Sequence, residues 1–295
     1  MLEKSYTRLT TLPNAADVRP LPVLREAFEL VGRKWRAERD YAYACDMLKA
    51  IRQDLTVQHL TQADESRCAF AVSVYETHAI LALQAGDLGE FGACQAALVP
   101  LHAARPSLRA AEFGAYRLLH AAALRGDSLA AELRGILSSL RAEHAAHPAV
   151  AQALRVGIAL QSDDCLAVLD ALPRLHFHGA CLLRAQLPKL RERALLALCK
   201  AYLPTLPLSL LARRLGWQDD VRGCETFLRT LGAVPAAASG KLEAELDTRA
   251  ALRALAARAA AARAEQQQQD STRQPLPPWE IGPAIPHEYI GGQAW

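Results

Sequence analysis

The chain has 295 residues, enough for one large core or for a core with a small extra module. Hydrophobic residues make up 51% of it and aromatic residues only 6%, so Leu and Ala, both strong helix formers, carry the packing. The near absence of runs rich in Val, Ile and Thr excludes a large β-sheet, and a net charge of +3 is too small to establish nucleic-acid binding.

Cysteine usage and hydropathy limit the compartment. The 7 cysteines form no Cys-x-x-Cys pair, and most stand among apolar residues, which indicates a reducing compartment, cytosol or nucleus. The N-terminus has no signal-peptide apolar region. No window approaches the ~20 uninterrupted apolar residues of a membrane helix. We therefore expect a soluble intracellular protein without membrane contact.

The first part of the chain predicts an extended lead-in followed by helices. Residues 1–19 form the lead-in, and Pro20 and Pro22 then favour a helix start near Val23. From there to about Tyr202, helical patterns alternate with brief breaks. We assign residues 20–203 to a helical-repeat domain.

One predicted helix combines an apolar stripe with several polar groups. The stripe residues recur at steps of 4, 3, 3 and 4, which puts them on one side of an α-helix: Tyr41, Cys45, Leu48, Ile51 and Leu55. Around the stripe lie four polar side chains that can bond to one another or to a partner: Arg52, Gln53, Asp54 and Gln58. Asp54 and Gln58 are one turn apart, close enough to bond. The pattern alone also fits an ordinary amphipathic helix with a solvated side.

The helix breaks resemble one another. Ala-Leu-Gln precedes the breaks at Asp87 and Asp164, and Asp127 follows a third break between them. Gly86 and Gly126 suit the left-handed residue that ends a helix, and each Asp can cap the next one. A helix pair every ~35 to 45 residues is typical of an α-solenoid, although unrelated Gly-Asp turns would give a similar pattern.

The segment 204–248 changes character and predicts a winged helix. One short helix runs from Leu208 to Leu215, and a second runs from Val221 to Leu231. Gly232–Val234 and Lys241–Leu246 would form a β-hairpin around a turn of small residues. Two helices with a hairpin make a winged helix.

The C-terminal part predicts a helix and a tail. Asp247 and Thr248 can cap a helix that fills residues 249–265, and residues 266–295 form a Gln/Pro-rich tail. The tail contains Trp279, Tyr289 and Trp295, which would dock on a partner, fold back onto the solenoid or remain disordered.

No pattern of residues predicts catalysis, a metal or a cofactor. His176, His178 and Cys181 have suitable ligand types, but a fourth ligand and a second paired motif are missing. No kinase, hydrolase, metalloprotease or phosphate-loop signature occurs. We expect no enzyme activity, no cofactor and no metal.

Basic residues gather in the predicted winged helix and near it. They are Arg213, Arg214, Arg222, Arg229, Lys241 and Arg249. Clustering of this kind suits phosphate contacts, but Asp219, Asp220 and Glu225 dilute it, and a solvated mixed surface explains it about as well. The second helix has no Arg/Asn/Gln set for reading bases. Trp217, at a helix break, is the aromatic residue we expect to be partly exposed and to contact a partner.

The segment Lys49–Gln58 resembles the hallmark of the SAC/GANP family, a subgroup of PCI-domain proteins, nearest the branch of leukocyte receptor cluster member eight. Flanking blocks resemble the family in the same order: Lys4–Leu9, Val18–Leu24, Asp40–Asp46, Val74–Ala79 and Lys200–Pro204. The chain departs from the family between Gln58 and Val74, where an Arg-Asn-Glu-Phe join is missing, and near residues 178–183, where an Ala-Pro-x-Met block is absent.

The resemblance implies an all-α fold, a right-handed α-solenoid of helix hairpins ending in a winged helix. It also implies a noncatalytic scaffold in a nuclear complex like TREX-two, which couples transcription with mRNA processing and export. The implied partners are a second PCI-domain subunit, a small acidic DSS/Sem-type protein, and RNA or DNA bound weakly without sequence specificity. A nuclear location follows from the family, with a cytoplasmic presence left open. The alternatives are a PCI subunit of a proteasome-lid, signalosome or translation-initiation assembly, and a solenoid-based enzyme.

Overall fold

A computed structural model describes residues 2–8, 17–59, 65–104, 107–124, 129–176, 178–235 and 244–272. Within these ranges the chain forms 14 α-helices, numbered α1 to α14. In chain order they are Leu21–Glu38, Tyr41–Val57, Glu65–Ala85, Leu88–Ala104, Ala110–Leu124, Leu129–Ser139, Ala142–Ala145, Pro148–Gln161, Cys165–Ala171, Gly179–Leu183, Leu187–Ala201, Leu208–Arg214, Val221–Thr230 and Thr248–Thr272. Two short strands, β1 (Thr205–Pro207) and β2 (Glu245–Asp247), complete the fold, so the predicted all-α class is confirmed.

The chain divides into two compact units. The first contains Met1–Leu195 and Ala212–Gln218, and the second contains Leu196–Leu211 and Asp219–Trp295. The predicted domain boundaries at residues 19, 203 and 248 remain predictions.

In the first unit, consecutive helices pack side by side. Helix α1 packs on α2, α2 on α3 and α3 on α4; farther along, α5 packs on both α6 and α8, and α8 packs on α9. The helix hairpins predicted from the sequence require this packing of consecutive helices. The continuous right-handed solenoid remains a prediction.

The helix breaks follow the predicted chemistry at two of three places. Gly86 has φ +82°, and the Asp87 carboxylate accepts a hydrogen bond from the Glu90 amide at 2.9 Å. The Asp164 carboxylate caps α9 in the same way, through the Ala167 amide at 3.0 Å. The third break, with Gly126 and Asp127, lies outside the described residues.

Small and aromatic residues form the centre of the first unit. Gly157 of α8 faces α5, and a methyl group built at this position would lie 3.5 Å from the Ala122 side chain. The absence of bulk there lets the two helices approach closely. Phe91, Phe113 and Tyr116 fill the adjoining core and are each at most 1% exposed, with edge-to-face ring contacts.

Helix α3 is long and apolar. Its segment Ser66–Ala85 has the length and composition of a membrane span, but 67% of that window is buried inside the protein. Packing against α2 and α4 therefore accounts for its apolar side chains.

In the second unit, β1 and β2 pair antiparallel, with Leu206 opposite Leu246. Both leucines are 1% exposed, so the small sheet contributes its apolar face to the core. Directly after β2, the Asp247 carboxylate accepts a hydrogen bond from the Ala250 amide at 2.8 Å and starts α14, as predicted. The Thr248 hydroxyl, on a fully buried residue, donates to the Pro204 carbonyl at 2.8 Å.

The predicted β-hairpin after the second helix is wrong in its first strand. Residues 233–235 have no regular structure, and the strand that pairs with β2 is Thr205–Pro207. The reason is the end of α13. Gly232 adopts φ +75° and its amide donates to the Arg229 carbonyl at 3.0 Å, while the Ala233 amide returns to the Leu228 carbonyl at 3.0 Å. These amides close the helix and are not available to a strand.

The end of the last helix also differs from the prediction. Helix α14 continues to Thr272, beyond Glu265 and through the run of glutamines. Glutamine is a good helix former, so the run extends the helix where composition alone indicated a tail. The remaining tail, with Trp279, Tyr289 and Trp295, lies outside the described residues.

Candidate interaction site on the hallmark helix

Helix α2 carries the hallmark residues, defined here as Arg52, Gln53, Asp54 and Gln58. Four members of its predicted apolar stripe are buried, namely Cys45, Leu48, Ile51 and Leu55, and the fifth, Tyr41, is partly buried against the same core. Asp40 caps the helix start by accepting a hydrogen bond from the Tyr43 amide at 3.1 Å. The stripe fixes the rotation of the helix and therefore fixes where the hallmark side chains point.

Asp54 is the centre of a buried ion triad. It is 1% exposed, and its two carboxylate oxygens bind Arg19 Nε at 2.6 Å and Lys4 Nζ at 2.8 Å. Arg19 is itself 5% exposed and also donates to the Leu2 carbonyl at 3.1 Å. Both cations come from the lead-in segment, so this carboxylate joins the start of the chain to α2.

The two hallmark glutamines hold the backbone of the same lead-in. Gln53 Nε2 donates to the Thr7 carbonyl at 2.8 Å, and Gln58 Nε2 donates to the Arg19 carbonyl at 2.7 Å. Gln58 also donates to the main-chain carbonyl of Asp54 at 3.1 Å, so the predicted bond within one turn forms through the backbone and not through the carboxylate.

The fourth hallmark residue, Arg52, faces α4. Its guanidinium pairs with the Glu90 carboxylate and donates to Cys94 Sγ at 2.9 Å. Lys49 Nζ binds the other Glu90 oxygen at 2.8 Å. Burial raises the pKa of the Cys94 thiol to about 12, with the Arg52 charge acting in the opposite direction. The hallmark residues thus serve the internal architecture of this chain, and their binding to a partner remains a prediction.

His78 of α3 lies against this cluster and was not singled out from the sequence. It is fully buried, and neither ring nitrogen has a hydrogen-bond partner among the described residues. Its Nε2 is 3.8 Å from Glu90 Oε1. Burial, followed by the charges of Arg52 and Lys49, lowers its pKa to about 3, against a weaker opposing effect of Asp87. The imidazole is therefore neutral at physiological pH.

His78, Glu90 and Cys94 also have the residue types of a metal site, with ligand atoms within 4.8 Å of one another. Both Glu90 oxygens, however, already bind Lys49 and Arg52, and Arg52 also contacts the thiol. A divalent cation would have to displace two positive charges from its carboxylate ligand. These contacts favour an ion-pair network over a metal site.

The histidines considered from the sequence are engaged elsewhere. His176 Nδ1 lies 2.6 Å from Gln152 Oε1, and the His178 amide donates to the Tyr116 hydroxyl at 3.0 Å. Cys181 Sγ accepts a contact of 3.6 Å from Arg184. The contacts of His176, His178 and Cys181 are those of a helix entry and not those of a metal-ligand set.

A Ser-His-Glu group at the start of α5 resembles a hydrolase triad only in composition. The Glu76 carboxylate contacts His102 Nε2 at 2.8 Å, and Ser107 Oγ donates to the same carboxylate at 2.5 Å. In a triad the acid and the nucleophile use opposite ring nitrogens, whereas here Ser107 Oγ is 3.5 Å from the same Nε2. Ser107 also accepts from the Arg109 amide at 3.1 Å, which is the role of a helix-start residue.

The candidate nucleic-acid residues fall into separate groups. Arg213 and Arg214 are exposed in the last turn of α12 and belong to the first unit. The exposed Arg222, Arg229 and Arg249 belong to the second unit. Arg229 pairs with Glu225 at 2.6 Å, which partly neutralises its charge. Lys241 lies outside the described residues, so a single surface made of all six remains a prediction.

Trp217 is partly exposed, as predicted from its position at a helix break. The Arg191 guanidinium lies 3.6 Å from the centre of its ring. The guanidinium cation is attracted to the face of the indole ring, and this attraction stabilises the stacked arrangement. Part of the ring that would meet a partner is therefore covered by this chain's own arginine.

Paired helices and a small two-stranded sheet define an all-α protein, and comparisons give its family. The SAC3/GANP family model matches residues 100–233. A THP3 homolog from Schizosaccharomyces pombe is 37% identical over 233 residues, covering 79% of this chain and 56% of the relative. A leukocyte receptor cluster member 8 homolog from Xenopus laevis is 35% identical over 235 residues, covering 79% and 28%.

SAC3 family protein A from Arabidopsis thaliana is 34% identical over 248 residues, covering 79% of this chain and 23% of the relative. The chain belongs to the SAC3/GANP family. It spans about half the length of the first of these relatives, at 56%, and about a quarter of the other two, at 28% and 23%.

Removing the Asp54 carboxylate tests the ion triad. We expect Asp54→Ala to lower the free energy of unfolding by about 3 to 5 kcal/mol, because Arg19 would stay buried without a counter-charge. Asp170→Ala is the matched control: its pair with Arg174 is surface-exposed, at 65% and 67%, and its loss should cost at most about 1 kcal/mol. Urea unfolding measures both, and equal losses would contradict the central role of Asp54.

The buried His78 predicts a pH dependence of stability. Because its folded pKa is about 3 and lies below the usual 6.5, the unfolded chain takes up a proton first as the pH falls. Stability from this residue is complete above pH 6.5 and is lost toward pH 3, by about 2 kcal/mol between pH 7 and pH 5. We expect His78→Leu to abolish that part of the slope. Urea titrations of both proteins at the two pH values measure it, and parallel pH profiles would refute it.

Proposed function

We propose that the chain is a noncatalytic scaffold subunit of a nuclear complex, of the TREX-two kind, that couples transcription with mRNA processing and export. The observation that carries the proposal is membership of the SAC3/GANP family, with similarity to a THP3 homolog over 79% of the chain. The geometry of the described residues is compatible with it. The polar residues of α2 hold the chain's own segments together, as a scaffold requires.

The order of elements in residues 204–248 supports a winged-helix role; residues 212–218 of this segment belong to the first unit and the others to the second. Helices α12 and α13 stand in sequence between two strands that pair with each other, β1 and β2. Helix α13 is strongly amphipathic: Cys224 and Leu228 are fully buried, while Arg222, Thr226 and Arg229 are exposed. An exposed polar side on the second helix is what docking onto a nucleic acid or a sister subunit requires.

The partners follow from the family proposal. We assign a second PCI-domain subunit and a small acidic DSS/Sem-type protein, together with RNA or DNA bound weakly and without sequence specificity. Ion pairs among the described residues of the first unit hold its N-terminal segment. We therefore propose that partner proteins associate through other surfaces. We propose a nuclear location on the basis of the family. Because the sequence has no compact Lys/Arg import cluster, we propose that the chain enters the nucleus with a partner.

Affinity purification with mass spectrometry of the full chain tests the scaffold proposal. We expect a second PCI subunit and a small acidic protein to copurify in near-equal amounts, because a scaffold acts through stable stoichiometric contacts. A tagged Asp54→Ala variant shows whether assembly needs the internal ion triad. Recovery of proteasome-lid, signalosome or initiation-factor subunits instead would support the alternative assembly and overturn the first.

Charge reversal tests nucleic-acid contact. We expect Arg213→Glu combined with Arg214→Glu to weaken binding of single-stranded RNA at low salt and to reduce the log–log salt slope by about 1.4, that is 0.7 for each lost phosphate contact. Both side chains are exposed and make no ion pair among the described residues, so the fold should persist. Arg134→Glu with Arg155→Glu, exposed residues of α6 and α8, is the matched control. Unchanged RNA affinity of the first variant would end the proposal for these residues.

A further inference from the structure

A small cavity in the first unit carries a concentration of polar groups that the hallmark network does not use. It has a volume of about 140 Å³ and lies between α4, α5 and the segment that connects α6 to α7. Its polar lining is Gln95, His102, Arg117, Ser139, Arg141 and His144. No carboxylate belongs to this lining among the described residues.

Arg117 is the unusual member of the lining. It is half-buried on α5, and among the described residues it makes one hydrogen bond, to Ser139 Oγ at 3.1 Å, and no ion pair. Burial lowers its pKa, and no neighbouring carboxylate opposes that effect. Two other arginines drawn into this unit are compensated: Arg19 has Asp54 at 2.6 Å and Arg109 has Glu112 at 2.8 Å. A guanidinium that has lost water without gaining an anion is costly, so an external anion would stabilise it.

Gln95, a second residue of the cavity lining, has an unsatisfied polar atom within the described part of the chain. It is 6% exposed, and its Nε2 donates to the Phe113 carbonyl at 2.7 Å. Its Oε1 atom is buried without a hydrogen-bond partner among the described residues. A ligand that carries a hydroxyl hydrogen would satisfy this acceptor, while its anionic oxygens would meet Arg117.

The volume restricts the ligand to one small group. A cavity of about 150 Å³ accepts a molecule the size of benzene, so this one cannot hold a whole nucleotide. The Arg117 guanidinium carries several N–H groups, which suit the terminal oxygens of a tetrahedral oxyanion. A phosphate monoester in its monoanionic form also has the hydroxyl that Gln95 needs.

We propose that the Arg117 cavity binds a phosphate monoester, presented by the end of an RNA strand. The choice of RNA rests on the proposed function, because a scaffold of mRNA processing meets strand ends. A terminal phosphate can enter end-on, whereas an internal phosphodiester carries a ribose on both sides and has no hydroxyl hydrogen to offer. Arg117 supplies the charge, since Arg141 Nε is already paired with Glu143 Oε1 at 2.9 Å, and Gln95 distinguishes the monoester.

Fluorescence anisotropy with the full chain tests the proposal. Three versions of one labelled single-stranded RNA are compared: with a 5′ phosphate, with a 3′ phosphate, and with hydroxyls at both ends. We expect either the 5′-phosphorylated or the 3′-phosphorylated RNA to bind about tenfold more tightly than the RNA with hydroxyls at both ends. One charge-assisted pair allows a difference of this size. Arg117→Met should remove this preference, and Arg134→Met, at an exposed position of α6, should keep it.

The outcomes separate this proposal from the preceding one. Equal binding of the three RNAs by the wild-type chain overturns it, and this arm needs no variant to fold. A preference that survives Arg117→Met overturns the assignment to this cavity. Stronger binding of a phosphoserine peptide of equal charge overturns RNA as the source. If the Arg213 and Arg214 variant binds RNA normally while the phosphate preference remains, the winged-helix proposal fails and this one stands.

Discussion

The first unit depends on one desolvated carboxylate. Asp54, at 1% exposure, compensates two positive charges that come from 35 and 50 residues earlier in the chain. Without it, Arg19 would be a buried charge with no opposite partner. The neighbouring glutamines act on the same segment, so three of the four hallmark residues share a single structural task. The fourth, Arg52, carries the network across to α4.

The local chemistry of the sequence was sufficient for much of the fold. The step pattern from Tyr41 to Leu55 gave the buried side of α2, and Asp87, Asp164 and Asp247 were recognisable as caps because capping depends on residues close in sequence. The strand at Gly232–Val234 was wrong because helix closure and strand pairing compete for the same amides. The strand that pairs with β2 contains Leu206, which is distant in the sequence, and local sequence patterns do not reveal this pairing.

The candidate sites show the same limit more clearly. The hallmark residues stand close together in the sequence, but the groups they contact lie in α4 and in the lead-in, at sequence separations that no periodic pattern encodes. His78, Arg117 and Gln95 gave no signal at all. Each is notable because of a missing partner, and a missing partner is a property of the folded arrangement. The exposed arginines are the opposite case: their sequence clustering is evident, while two compact units divide them.

The long-range ties of the lead-in bear on the order of events during synthesis. Lys4 leaves the ribosome before Asp54, which lies 50 residues later in the chain. At about 5 to 20 residues per second, the nascent lead-in waits roughly 3 to 10 s for Asp54 to be translated. Over that interval Lys4 and Arg19 are available to cellular polyanions and chaperones. The emergence of α2 then withdraws them from competition.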